Sequence, residues 1–270
     1  RHICEPYQAV LRFNATRAPW STGGRASAIR GAEDLTMAHS EGSDTILRIA
    51  QACSGLSRPP VLLGGWTPYM LIPRPVRRYL GTTDIDLALD WLLEDSEHGG
   101  EFERILISLG ARPKIPAGSD DRSAIWDLPS LRLVGHTVIL DFLAAVEHEG
   151  PAREIPVGGS RWISAVAFQG TRRAVLDRKV TAIEDASGGM VDLHHLGVAG
   201  YVWTKAHALL DRSDPRDDYS LGFVIRWHPD GPLGVADAIL EISLRGFLAE
   251  ASEAWDMMKR RFREPNSAGS

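Results

Sequence analysis

Cysteine is scarce in this chain, with 2 among 270 residues, Cys4 and Cys53, and no paired spacing. That argues against a disulfide framework or a cysteine-built zinc site, and it matches usage in a reducing compartment. Long apolar runs are also missing. No stretch approaches the ~20 residues that a membrane-crossing helix needs. The first residues lack a charged start followed by an apolar stretch, so no secretory leader is expected and the expected location is cytoplasmic. An excess of positive charge is absent too: 30 Lys and Arg stand against 35 Asp and Glu, for a net charge of −5. Such a chain has no general affinity for nucleic acid, and any contact with RNA or DNA needs a local basic patch. His194-His195 and His207 lack carboxylate or cysteine partners at zinc spacing and read as non-ligands. No internal repeat is evident.

What is present is an ordinary apolar content of 44%, enough for one large domain or two modest ones. Residues 1–40 are rich in Arg, Ala, Ser and Gly, and the first Met is Met37; they are expected to be a disordered leader or to precede the natural start. Helical spacing covers Asp44–Leu56, with Ser43 as its N-cap. Strand signals follow at Val61–Leu63, Ser123–Leu128, Leu131–Val134, Thr137–Leu143 and Arg161–Phe168, with a strand-like piece at Ala174–Leu176. Phe102–Leu109 is amphipathic and helical. From Leu196 the pattern is helical, in segments near 197–211, 216–227, 233–248 and 250–262. The expectation is an α+β chain: a mixed β-sheet flanked by helices over 41–190, a helical bundle over 191–264, and a frayed tail over 265–270.

The most informative block is Leu62-Leu63-Gly64-Gly65-Trp66, followed by Thr82-Thr83-Asp84-Ile85-Asp86-Leu87-Ala88-Leu89-Asp90. It reads as a strand, a glycine turn, a short helix over Thr67–Ile72, and a second strand. Residues two apart on a strand share a face, so Asp84 and Asp86 project together while Ile85 and Leu87 enter a core. Neighbouring carboxylates repel, and both stay ionised beside a cation; hard oxygen ligands at this spacing suit Mg²⁺ shared with substrate phosphates. Gly64-Gly65 lets the backbone approach a ligand, and the helix start behind it aims free N–H groups at an anion. A phosphate cradle beside a metal-carboxylate pair is the layout of nucleotidyl transfer.

The Val61–Asp90 block resembles the DNA polymerase β-type nucleotidyltransferase superfamily. Further motifs are similar to its AbiEii-type toxin branch. Val138-Ile139-Leu140-Asp141-Phe142-Leu143 resembles the strand with the third carboxylate. Lys205-Ala206-His207-Ala208-Leu209-Leu210-Asp211-Arg212 and Pro215-Arg216-Asp217-Asp218-Tyr219-Ser220-Leu221 resemble the branch's helical lysine motif and its Arg-Asp motif. The similarity spans roughly residues 45–228. It implies an Mg²⁺-dependent enzyme that moves a nucleoside monophosphate from an NTP to a hydroxyl, with a nucleotidyltransferase-type sheet. Asp84, Asp86 and Asp141 would hold metal and Lys205 would meet the triphosphate. Asp217 would join the catalytic set, and Gly64, Gly65, Trp66 and Thr83 would line the nucleotide. The branch implies a toxin of a toxin–antitoxin or phage-defence pair, with tRNA as a candidate acceptor and a cognate antitoxin as partner.

Several positions carry two readings. Trp66 either stacks on a base or fills a core, and Asp141 either meets metal or caps a turn. Lys205 either binds phosphate or lies on a solvated face. Arg74, Arg77 and Arg78 either bind RNA or triphosphate or form a solvated loop. The family's Arg-Asp-x-x-Asp pattern meets Ser220 where its second acid would stand, which favours Asp217 and puts a two-acid role in doubt. Adenylylation of an aminoglycoside-type small molecule and a non-catalytic binding module are the competing functions. The three carboxylates and the Gly64-Gly65 turn are expected to converge on one cleft, with Lys205 reaching it from the helical half.

Overall fold

The computed structural model describes residues 32–72, 84–90, 96–115, 122–130, 135–146, 152–168, 170–184, 188–212 and 215–241. Its strands are β1 (Val61–Leu63), β2 (Ile85–Leu89), β3 (Arg112–Pro113), β4 (Ile125–Pro129), β5 (Thr137–Ala144), β6 (Arg153–Pro156), β7 (Ser164–Ala167), β8 (Arg178–Glu184) and β9 (Met190–Leu196). All nine join one mixed sheet, ordered β3-β4-β5-β2-β1-β9-β8, with β7 pairing both β5 and β6. The helices are α1 (Ala32–Ala52), α2 (Thr67–Leu71), α3 (Ser96–Ser108), α4 (Thr171–Val175), α5 (Val198–Arg212) and α6 (Pro215–Trp227). A further helical stretch covers 231–241. The architecture is α+β, a mixed sheet flanked by helices.

Strand alternation sends side chains into two separate cores. Leu62, Ile85, Leu87, Leu140 and Phe142 face one side, where α1 supplies Ile46, Ile49 and Cys53 and α3 supplies Phe102 and Leu106. Val61, Leu63 and Ala88 face the other, against Tyr201 and Val202 of α5, Val224 of α6, and Val235 and Ile239 of the last stretch. The even positions of β2 therefore look toward the helical half. Arg48 of α1 clamps the first layer by donating to the Leu109 carbonyl at 2.6 Å.

β5 is the pivot of the sheet. Along one edge it runs parallel to β2. Along the other it pairs antiparallel with β4 through Asp141, then parallel with β7 from Leu143 on. The ladder thus splits beside Asp141. Backbone bonds cross the seam from Phe142 N–H to the Ala124 carbonyl at 2.9 Å and from Ser164 N–H to the Ser123 carbonyl at 3.1 Å. The Ala124 N–H donates to the Glu154 carboxylate at 3.0 Å.

Several expectations need correction. Helix α1 begins at Ala32, so residues 32–40 belong to it and Ser43 lies inside it rather than at its N-cap. The sheet continues through β9, so the helical half starts after Leu196 rather than near 190. Ala174–Leu176 belongs to the end of a helical turn, not to a strand. Strands β3, β6, β8 and β9 carried no sequence expectation. The strand expected at 131–134, the Arg74, Arg77 and Arg78 loop, residues 1–31 and everything after 241 lie outside the described residues.

Helix α5 is fixed at its start by Asp177, whose carbonyl accepts from Gly197 N–H at 2.7 Å and whose carboxylate accepts from Gly200 N–H at 3.0 Å. A carboxylate on first-turn N–H groups satisfies donors that the helix leaves open and complements its dipole. Asp177→Ala is expected to lower stability in urea unfolding by about 1–2 kcal/mol. Asp177→Asn, which keeps an acceptor, should lose clearly less.

Candidate active site

The register of three central strands builds the site. Leu63 lies opposite Asp86 in the antiparallel β1–β2 pair. Asp86 lies opposite Asp141 in the parallel β2–β5 pair. Directly opposed residues share a face with their Cβ atoms about 5 Å apart, so the two carboxylates stand side by side toward the helical half. A cleft of about 320 Å³ opens over them, lined by Gly64, Asp86, Ile125, Asp141, Lys205 and other, mainly apolar, residues.

The glycine turn acts on Asp86. Gly64 holds φ of +66°, and a Cβ built on it would fall 1.7 Å from the Asp86 Oδ2 atom. Both the left-handed backbone and the approaching carboxylate require glycine there. The turn Gly64–Trp66 then runs into α2, and the Gly65 N–H donates to the Asp86 carboxylate. In the structure this N–H meets the chain's own Asp86 side chain.

Electrostatics mark the pair as strained. Burial, and then the charges of Asp141 and Asp84, push Asp86 up to about 7, against the pull of Lys205 and the Gly65 bond. Asp141 is raised as well, by burial and by Asp84, while Lys114 works the other way. The Asp141 Oδ1 atom is buried and has no hydrogen-bond partner among the described residues. Two carboxylates held together, one with an orphaned oxygen, form a donor set that fits a hard divalent cation. Asp84 stands just before β2 and reaches both neighbours as a charge. Among the described residues no three Asp, Glu, His or Cys side chains gather around one point. Mutual repulsion works against a closer approach of all three.

Lys205 reaches the cleft from α5, as expected. Trp66 does not reach it. Its indole is 2% exposed and sits in the core, against Gly42 of α1, where a Cβ would overlap the ring, and 5.3 Å from the Tyr69 ring. Its place among nucleotide contacts is therefore corrected to a core role, since α1 and the sheet close over it. Asp217 lies in the first turn of α6, but its side chain, like the whole of Thr83, falls outside the described residues. Ser220 is buried. His195 is held by the Leu196 carbonyl, to which Nδ1 donates at 2.8 Å, and by Thr181 at 2.8 Å, and burial lowers its pKa, as suits a neutral structural histidine.

Sequence reasoning passed over Lys114 and Ile125. Neither belongs to a motif; Ile125 lines the cleft, and Lys114 lies beyond that lining but acts as a charge on Asp141. No protein-family model matches the chain, and no curated protein matches it.

The raised Asp86 value makes stability depend on pH. An unfolded aspartate titrates near 3.9, so between about pH 4 and pH 7 the cation-free folded state holds a proton that the unfolded state has lost, and stability falls as pH rises. Asp86→Asn removes that penalty. In thermal or urea unfolding with chelator, the variant should exceed wild type at pH 8 by on the order of 1–3 kcal/mol and match it near pH 4. Equal curves at both pH values would contradict the raised value.

Proposed function

We propose that this chain is a Mg²⁺-dependent nucleotidyltransferase that moves a nucleoside monophosphate from an NTP to a hydroxyl acceptor. The observation that carries this reading is Asp86 in register with Asp141, the Gly64-Gly65 turn on one flank and Lys205 above. It agrees with the resemblance to the polymerase β-type superfamily and its AbiEii-type branch. Asp86 and Asp141, with Asp84 close by, would hold Mg²⁺, which when bound would neutralise phosphate charge and draw electron density from the reacting phosphate.

The remaining work falls to side chains. Lys205 offsets triphosphate charge that one or two metal ions leave uncompensated. The apolar walls of the cleft shield the reacting groups from water and strengthen every charge interaction inside. The acceptor hydroxyl gives its proton to the Asp141 carboxylate, whose raised pKa brings it nearer neutrality as a base. The acceptor oxygen bonds to the α-phosphorus, the bond to the β-phosphate oxygen breaks, and pyrophosphate leaves.

The biological reading is a toxin. Growth arrest on expression, relieved by Asp86→Ala and by a co-expressed cognate antitoxin, supports it. Harmless expression of an enzyme that transfers nucleotide in vitro removes that support. The chemistry is tested by incubating the protein with each labelled NTP, total RNA and candidate aminoglycosides. Asp84→Ala and Asp86→Ala should abolish transfer with folding intact, and Asp141→Asn should cost about 10²–10⁴-fold in kcat. Unchanged transfer in the Asp84 and Asp86 variants would overturn the assignment. Calorimetry without Mg²⁺-dependent NTP binding would favour a binding module instead.

A further inference from the structure

One row of residues crosses the sheet through the site. Leu63 opposes Asp86, Asp86 opposes Asp141, and Asp141 opposes Ile125. Strands β3 and β4 pair Pro113 with Trp126, and the Lys114 N–H donates to the Ile125 carbonyl at 2.8 Å, so the row ends at Lys114. Members of such a row project from one face, here the face of the cleft. The Lys114 backbone is held from the other side as well, because its carbonyl accepts from the Ser123 hydroxyl at 2.8 Å. With neighbouring strands about 4.8 Å apart, its Cα lies roughly 10 Å from that of Asp141, and the Asp141 carboxylate feels its charge. Lys114 is exposed, and among the described residues its ammonium forms no hydrogen bond or ion pair. Ile125, between the two, is 42% exposed.

The row gives the cleft two ends. At the Asp86 end stand the glycine turn and Lys205, the cation that acts on Asp86. At the other end, past Asp141, stand an exposed apolar side chain and, at the edge of the described sheet, a cation with no ion-pair partner among the described residues. A nucleotide whose triphosphate meets Lys205 leaves the Asp141–Ile125–Lys114 end for the acceptor. We propose that Lys114 is an acceptor-binding residue that takes a backbone phosphate of a nucleic-acid strand whose terminal hydroxyl lies at Asp141, with Ile125 as the platform under its last sugar or base. This rests on the nucleotidyl-transfer reading. It selects an anionic polynucleotide over a cationic aminoglycoside, which Lys114 would repel. In a chain of net charge −5, the affinity for such a strand is local to this edge.

The test uses the full chain and a single-stranded RNA oligonucleotide with a free 3′-hydroxyl. By fluorescence anisotropy at low salt, Lys114→Ala should bind it at least fivefold more weakly, with a salt slope smaller by about 0.7, and Lys114→Arg should restore both. In steady-state transfer, Lys114→Ala should raise the RNA KM while the NTP KM stays within twofold of wild type. Unchanged RNA binding overturns the proposal, as does a matching rise in the NTP KM or wild-type transfer to an aminoglycoside that exceeds transfer to RNA. Absence of transfer by wild type with every acceptor is failure of the nucleotidyl-transfer reading, and the anisotropy result then still decides whether Lys114 holds RNA.

Discussion

Like charge held at close quarters is the constraint on which this molecule turns. Asp86 and Asp141 are fixed side by side because β2 and β5 run parallel in one register, and a ladder of backbone bonds does not yield to the repulsion of two side chains. Everything around them answers that repulsion. The Gly65 N–H is spent on Asp86. Lys205 is brought across from a helix of the other half. Asp177 pins the start of that helix and so sets where the lysine arrives. One Asp141 oxygen, buried and without a hydrogen-bond partner among the described residues, is left out of that compensation.

The core of the site was legible because it is written in local patterns. An apolar triplet before two glycines, alternation around Ile85 and Leu87, and the run Val138-Ile139-Leu140 ahead of Asp141 are short-range signals, and β1, β2 and β5 follow them. Lys205 was legible only through its motif, since no spacing rule joins a helix to a distant strand. Lys114 and Ile125 were not legible at all, because they reach the site through antiparallel pairing of strands that carry no motif.

The misses have physical causes. β8 is exposed at nearly every position, so it has no buried face to impose alternation. β6 ends in proline and is similarly exposed. β9 hides its alternation behind Asp192, His194 and His195, polar residues that read as loop although His195 is buried. Ser43 reads as a helix cap, but it lies inside a continuous helix in which Gly42 makes room for the Trp66 ring, and tertiary packing overrode propensity. That same contact settles Trp66 as a core residue, a choice that composition could not make.

The forked ladder of β5 bears on motion as well as on architecture. One edge of β5 is shared between β4 and β7, and the Glu154 carboxylate on Ala124 N–H helps to stitch the fork. The β3–β4 ribbon and the β6–β7 ribbon are tied to each other across the fork through Ser123, Ser164 and Glu154, while β5 pairs with β2 along its opposite edge, independently of both. Local unfolding follows such lines of weakness. On that principle the β2–β5 ladder that carries the carboxylate pair is expected to protect its amides longer than either ribbon, an order that hydrogen exchange would check. Opening of either ribbon would widen the cleft, which Ile125 of β4 and Val166 of β7 line, while Asp86 and Asp141 keep their register.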